Sequence, residues 1–120
     1  MPFVTSRVNV PIRAEQETDL KSRIGKAIEL IPGKSEAYLL LSFEDNCRLW
    51  LRGDNKAPIA YIETNVFGNE DHSGFEHFAY AVTEAFSAIL HIPPENVYIK
   101  FDDIKVWSVS GMAFDRSRFR

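Results

Sequence analysis

Residues 58–68, PIAYIETNVFG, decide the fold, because they restate residues 2–10, PFVTSRVNV. Each run opens on a proline, which lacks the N–H a sheet needs and therefore suits the first residue of a strand. Asn65-Val66 follows Pro58 at the spacing that Asn9-Val10 keeps after Pro2. β-Branched and apolar residues fill both runs, as strands require. The chain thus carries one unit twice.

The segment after each run is also repeated. Leu20, Ile24, Ala27, Ile28 and Ile31 recur at helical spacing, as do Phe75, Phe78, Val82, Phe86 and Ile89. Glu15, Glu17 and Asp19 suit the positive N-terminal end of the first helix. Each helix stops at an Ile-Pro: "LIPGKSEAYLLLSF" at 30–43 and "HIPPENVYIKF" at 91–101 then enter a strand through Tyr38 and Tyr98. The pattern predicts β-α-β twice, an α+β domain whose four-stranded sheet carries both helices on one face. Between the units, "CRLWL" at 47–51 is expected as a short strand containing Cys47, and "RGDNKAP" at 52–58 as a polar turn. Apolar residues on both sides of 38–43 and 97–101 predict a second sheet face that needs cover, by another copy of the chain. Short edge pieces, CRLWL and "VWSV" at 106–109, are expected to join the sheets of neighbouring copies.

The bulk properties agree with one domain. The 120 residues are 45% hydrophobic and 26% charged, with a formal net charge of −3, which recruits neither nucleic acid nor an anionic membrane. No apolar run is long enough to span a bilayer, and no basic-then-apolar leader opens the sequence, so a cytoplasmic protein is expected. Cys47 is the single cysteine, which excludes an internal disulfide and CxxC chemistry. Glu70, Asp71, His72, Glu76 and His77 hold metal-ligating atoms, but an acidic helix start explains them more simply, and no metal or cofactor is expected.

A proline at position 2, "PGK" at 32–34, "PENVYIKF" at 94–101 and the duplicated unit together resemble the tautomerase superfamily, in its macrophage migration inhibitory factor branch. The resemblance covers residues 2–114 and leaves 115–120, with Arg116, Arg118 and Arg120, as a tail that either frays or folds toward the pocket. It implies a homotrimer with a pocket at each subunit interface, and a keto–enol tautomerase for small α-keto acids such as phenylpyruvate. Pro2 matches the family's catalytic base, which requires removal of Met1. An amine in an apolar pocket has a lowered pKa and stays neutral, ready to take a proton.

Lys34 matches the family lysine that holds a substrate carboxylate or carbonyl oxygen, where negative charge needs a fixed cation. Tyr98 matches a tyrosine contributed across the interface. Lys100 shares its strand face and stands where well-known members carry asparagine; it either adds positive charge to the pocket or is a solvated strand lysine. "NVFG" at 65–68 aligns with the family's Ser-Ile-Gly, so Phe67 takes the isoleucine position and narrows the pocket. Tyr38, Val109 and Phe114 match apolar pocket positions, Val109 in place of an aromatic. A different reading of the same resemblance is a cytokine-like protein that binds a receptor and keeps only a vestigial pocket; a third is a structural trimer.

Overall fold

The computed structural model describes residues 1–118. Strand β1 (Pro2–Val8), helix α1 (Ala14–Ala27) and β2 (Leu40–Glu44) form the first unit; β3 (Ala60–Phe67), α2 (Phe75–Leu90) and β4 (Val97–Ile104) form the second. The sheet order is β2-β1-β3-β4. β1 pairs parallel with β2, and β3 with β4, while the two units meet through the antiparallel β1–β3 pair. This is the expected duplicated α+β architecture. Beyond it, β5 (Val106–Val109) and β6 (Met112–Asp115) make a separate two-stranded hairpin.

Alternation puts Val4, Val8, Ala60, Ile62 and Val66 under the helices, where they meet Leu20, Ile24 and Ile28 of the first unit and Phe78, Val82 and Phe86 of the second. Burying each of these aliphatic or aromatic side chains contributes about 1.5–3 kcal/mol. The two helices also pack against each other. The stop signals act as expected, although the end of the first helix tightens into a 3₁₀ turn at Ile28–Leu30 before Pro32. Gly74 precedes α2 with φ of +79°, and a Cβ there would run into the backbone carbonyl of Leu30, so only glycine lets the second helix start against the end of the first.

Asparagines lock the connections. Asn9 accepts from the backbone N–H of Ile59 at 2.7 Å and donates to the carbonyl of Ala57 at 2.9 Å. Buried Asn96 donates to the carbonyl of Pro58 at 2.9 Å. These bonds hold the segment before β3 against β1 and β4.

One expectation fails. Residues 47–51 form no strand: the N–H of Cys47 donates to the Val8 carbonyl at 2.8 Å, and the chain then closes a tight turn, Leu51 and Asp54 exchanging backbone bonds of 2.9 and 3.0 Å. The positive φ of Arg52 and Gly53 turns the chain too sharply to extend the ladder, so Arg52-Gly53-Asp54 is the apex of a hairpin turn. The sheet face away from the helices mixes apolar and charged residues, with Leu40 and Tyr98 exposed on it as expected. Arg7 pairs with Glu44 at 2.7 Å, and Lys100 reaches Glu63 at 3.3 Å and Asp102 at 3.1 Å. Within the two stretches Ser42 and Lys100 are the polar residues of this face, while Leu41, Phe43 and Phe101 face the core. Further apolar exposure lies at Tyr38, Trp50 and the β5–β6 hairpin.

Candidate active site

The head of β1 lies at the bottom of a cleft of about 870 Å³ lined by Pro2, Tyr38, Leu40, Trp107, Val109 and Phe114. Four of these were expected from sequence: Pro2, Tyr38, Val109 and Phe114. Three separate pieces of chain bring them together. β1 supplies Pro2 because a residue without an N–H loses nothing at a strand's first position. The turn after α1 and the entry to β2 supply Tyr38, and the β5–β6 hairpin folds back to supply Trp107, Val109 and Phe114. Pro2 is itself buried.

Beside this cleft, β3 ends against Met1. The backbone N–H of Phe67 donates to the Met1 carbonyl at 3.2 Å, and the Lys34 ammonium donates to the Phe67 carbonyl at 2.7 Å. The Phe67 peptide thus ties the N-terminus to Lys34, which the Ile31–Lys34 turn presents through a backbone bond of 3.1 Å. The Phe67 ring meets Phe114 edge to face, with centroids 6.3 Å apart, closing one wall of the site. Six expected residues, Pro2, Lys34, Tyr38, Phe67, Val109 and Phe114, therefore converge.

Electrostatically the site favours neutral amines. Burial, and then the positive charge of Lys34, lower the pKa of the Met1 amine below its ordinary value. Burial, and then the Arg116 guanidinium, lower that of Lys34, with Asp103 opposing them.

Tyr98 and Lys100 stand apart from this group within the chain. Pro2 pairs with Val66 and Val66 with Asp103, whereas Tyr98 pairs with Tyr61. Five residues of β4 separate the two levels, about 16 Å along the strand. Tyr98 instead borders a smaller cleft with Arg7, Trp50 and Tyr61. Lys100, held by Glu63 and Asp102, has its pKa raised by hydrogen bonds to Asp102 and then Glu63, so two carboxylates compensate its charge.

Sequence reasoning missed Trp107 and left Arg116 undecided. Trp107 sits two residues from Val109 on the same hairpin strand, so its period-two spacing was a usable signal. Of the tail, Arg116–Arg118 forms a 3₁₀ turn; Arg116 donates its backbone N–H to the Lys105 carbonyl at 2.8 Å and lays its guanidinium against Gly68, while Arg120 lies outside the described residues. The acidic and histidine side chains at 70–77 do not gather: among the described residues no group of three or more His, Cys, Asp or Glu could hold a metal ion, and His72 stacks on Phe75. Among the same residues no helix is long and apolar enough to cross a membrane.

The chain matches a family model described as macrophage migration inhibitory factor over residues 1–114. Among solved structures it resembles a macrophage migration inhibitory factor protein, MIF2, of Leishmania major, at 24% identity and a TM-score of 0.87, covering 95% of this chain and 97% of that one. The homologue from Prochlorococcus marinus is 26% identical, with a TM-score of 0.82 and coverage of 93% and 98%. A protein crystallised after inactivation by 2-oxo-3-pentynoate is 14% identical, with a TM-score of 0.80 over 98% and 99% of the two chains. No curated protein matches the sequence.

Proposed function

The chain belongs to the macrophage migration inhibitory factor family, and from that premise we propose that it is a keto–enol tautomerase for small 2-oxo acids such as phenylpyruvate, with Pro2 as base and acid. The observation that carries this reading is the burial of Pro2 at the bottom of an apolar-walled cleft beside a cation. Once Met1 is removed, the Pro2 nitrogen becomes a secondary amine in the surroundings that already lower the pKa of the Met1 amine. Removal of Met1 also takes away the acceptor of the Phe67 N–H, leaving that donor and the Lys34 ammonium on the two sides of one residue. A 2-oxo carboxylate fits such a pair, because both want negative oxygen.

In the proposed step the neutral Pro2 nitrogen takes a proton from the carbon next to the ketone. The C–H electron pair forms the C=C bond, and the carbonyl pair moves onto oxygen, giving an enolate that Lys34 stabilises. The Pro2 ammonium then gives its proton to that oxygen, directly or through water, which completes the enol and restores the neutral amine; in reverse, Pro2 takes the enol O–H proton and returns it to carbon. Tyr38, Phe67, Val109 and Phe114, with Trp107, form the apolar walls for the substrate's side chain. The fold neighbour inactivated by 2-oxo-3-pentynoate, itself a 2-oxo acid, agrees with this substrate class.

We further propose a homotrimer in which a neighbouring protomer brings Tyr98, and Lys100 beside it, to the mouth of the Pro2 cleft. Tyr98 is 53% exposed in the single chain and Trp50, next to it, 67%, an apolar surface that association would cover. Residues 1–114 constitute the domain and 115–120 the tail. Its lone thiol, Cys47, is unpaired by any disulfide, which suits the cytoplasm. The test is phenylpyruvate tautomerisation, followed by the loss of the enol absorbance, by chains whose N-terminus has been established by mass. Turnover should be present when Pro2 is the first residue and absent when Met1 remains. Equal turnover by both forms refutes Pro2 as the base.

A further inference from the structure

We propose that Arg116 is a specificity-determining residue, a second cationic anchor that with Lys34 selects a 2-oxo acid bearing two carboxylates over one bearing a single carboxylate. The inference rests on the tautomerase reading for the identity of the site. Its carrying observation is the seating of Arg116. A Cβ on Gly68 would lie 2.8 Å from Nη1 of Arg116, so the guanidinium occupies space that any other residue at position 68 would fill. Gly68 is the residue after Phe67, whose carbonyl already accepts from Lys34. The two cations therefore flank consecutive residues at the end of β3.

Arg116 is also fixed from behind. Its N–H donates to the Lys105 carbonyl at 2.8 Å, and the N–H of Ser117 donates to Oδ1 of Asp115 at 3.0 Å, which shapes the turn that carries it. Gathering two like charges costs free energy unless anions offset it. Two carboxylates, one for each cation, stand nearby and offset this cost. Asp103 accepts from the Asn69 N–H at 2.8 Å, and Glu70 approaches Nη2 of Arg116 at 3.7 Å, within ion-pair range but beyond hydrogen-bond length. The depressed pKa of Lys34, lowered first by burial, also records the proximity of Arg116. A substrate with two carboxylates would engage both cations at once: one lies on Lys34 and the Phe67 N–H, the other on the planar fork of Arg116, which suits carboxylate geometry and which Glu70 approaches without a hydrogen bond.

The experiment compares the full chain, with Pro2 as its first residue, against R116Q and R116M in two assays. In turnover, the ratio of kcat/KM for oxaloacetate over phenylpyruvate should fall about tenfold in each variant, the effect expected of one lost charge-assisted hydrogen-bond pair. In binding, calorimetry with phthalate and benzoate should show the parent preferring the dianion and both variants losing that preference. R116M serves should R116Q lose its native circular dichroism. A preference for phthalate that survives in the folded variant overturns the assignment of Arg116. If the parent turns over neither oxo acid yet Arg116 governs the phthalate preference, the tautomerase reading falls and the two-cation site stands.

Discussion

Replacing Lys34 by methionine tests the electrostatic core of the site, because it keeps the stem and deletes the charge. The ammonium lies 2.7 Å from the Phe67 carbonyl and is partly buried, so it is held rather than mobile. Hydrogen bonds to charged groups contribute about 1.5–3 kcal/mol. If Lys34 holds the developing enolate or the substrate carboxylate, kcat/KM for phenylpyruvate should fall about 10- to 150-fold. A second readout is the pH profile. Lys34 lowers the pKa of the amine beside it, so Pro2 becomes neutral at lower pH with Lys34 than without it. Activity should rise as Pro2 deprotonates, and in K34M this acid limb should shift to higher pH. The alkaline limb of the parent, where Lys34 loses its charge below the ordinary lysine value, should vanish. Stopped-flow enol absorbance across pH, with the thermal midpoint as a control, measures both. A kcat/KM within about threefold of the parent, with an unmoved acid limb, refutes the role given to Lys34.

Pro2→Gly substitutes a primary amine and frees the backbone at the head of β1; kcat should drop at least about 100-fold while the oligomer mass by analytical ultracentrifugation stays that of the parent. Mixing Pro2→Gly chains with Tyr98→Ala chains, by co-refolding, should restore part of the activity each lacks alone, since the proposed site takes Pro2 and Tyr98 from different protomers; no recovery would place both in one chain's site or neither. Gly74→Ala combines left-handed strain with the collision against the Leu30 carbonyl, so urea denaturation should show a loss of more than about 2 kcal/mol. Asn96→Ala should cost about 1–3 kcal/mol by the same method, because it removes a buried donor to the Pro58 carbonyl.

The order β-α-β-β-α-β was legible in the sequence because each unit declares itself locally. Prolines 2 and 58 head strands, the stripes from Leu20 to Ile28 and from Phe75 to Ile89 have helical period, and Ile-Pro stops both helices. That Pro2, Lys34, Phe67 and Phe114 would gather in one region was legible too, though only through the spacing shared with a family; nothing local singles out a strand's first proline or one lysine among many. The strand at 47–51 failed because apolar composition says nothing of the backbone bonds that must complete a ladder, and a turn at Arg52-Gly53 left it none. On the open sheet face, alternation assigns sides only once the register is known, and the register placed Glu44, Glu63 and Asp102 there among the exposed Leu40 and Tyr98.

By itself, then, the sequence determined the two β-α-β units, since helix and strand periods and proline stops act over a few residues. Only tertiary structure decided which distant side chains share a space. The Phe67 peptide lies between Met1 and Lys34 because β1 and β3 pair in a particular register, and the hairpin after β4 returns Trp107 and Phe114 to the head of β1. Arg116 reaches Gly68 because residue 68 has no side chain to exclude it. Such proximities depend on the whole sheet closing, and no short-range pattern carries them.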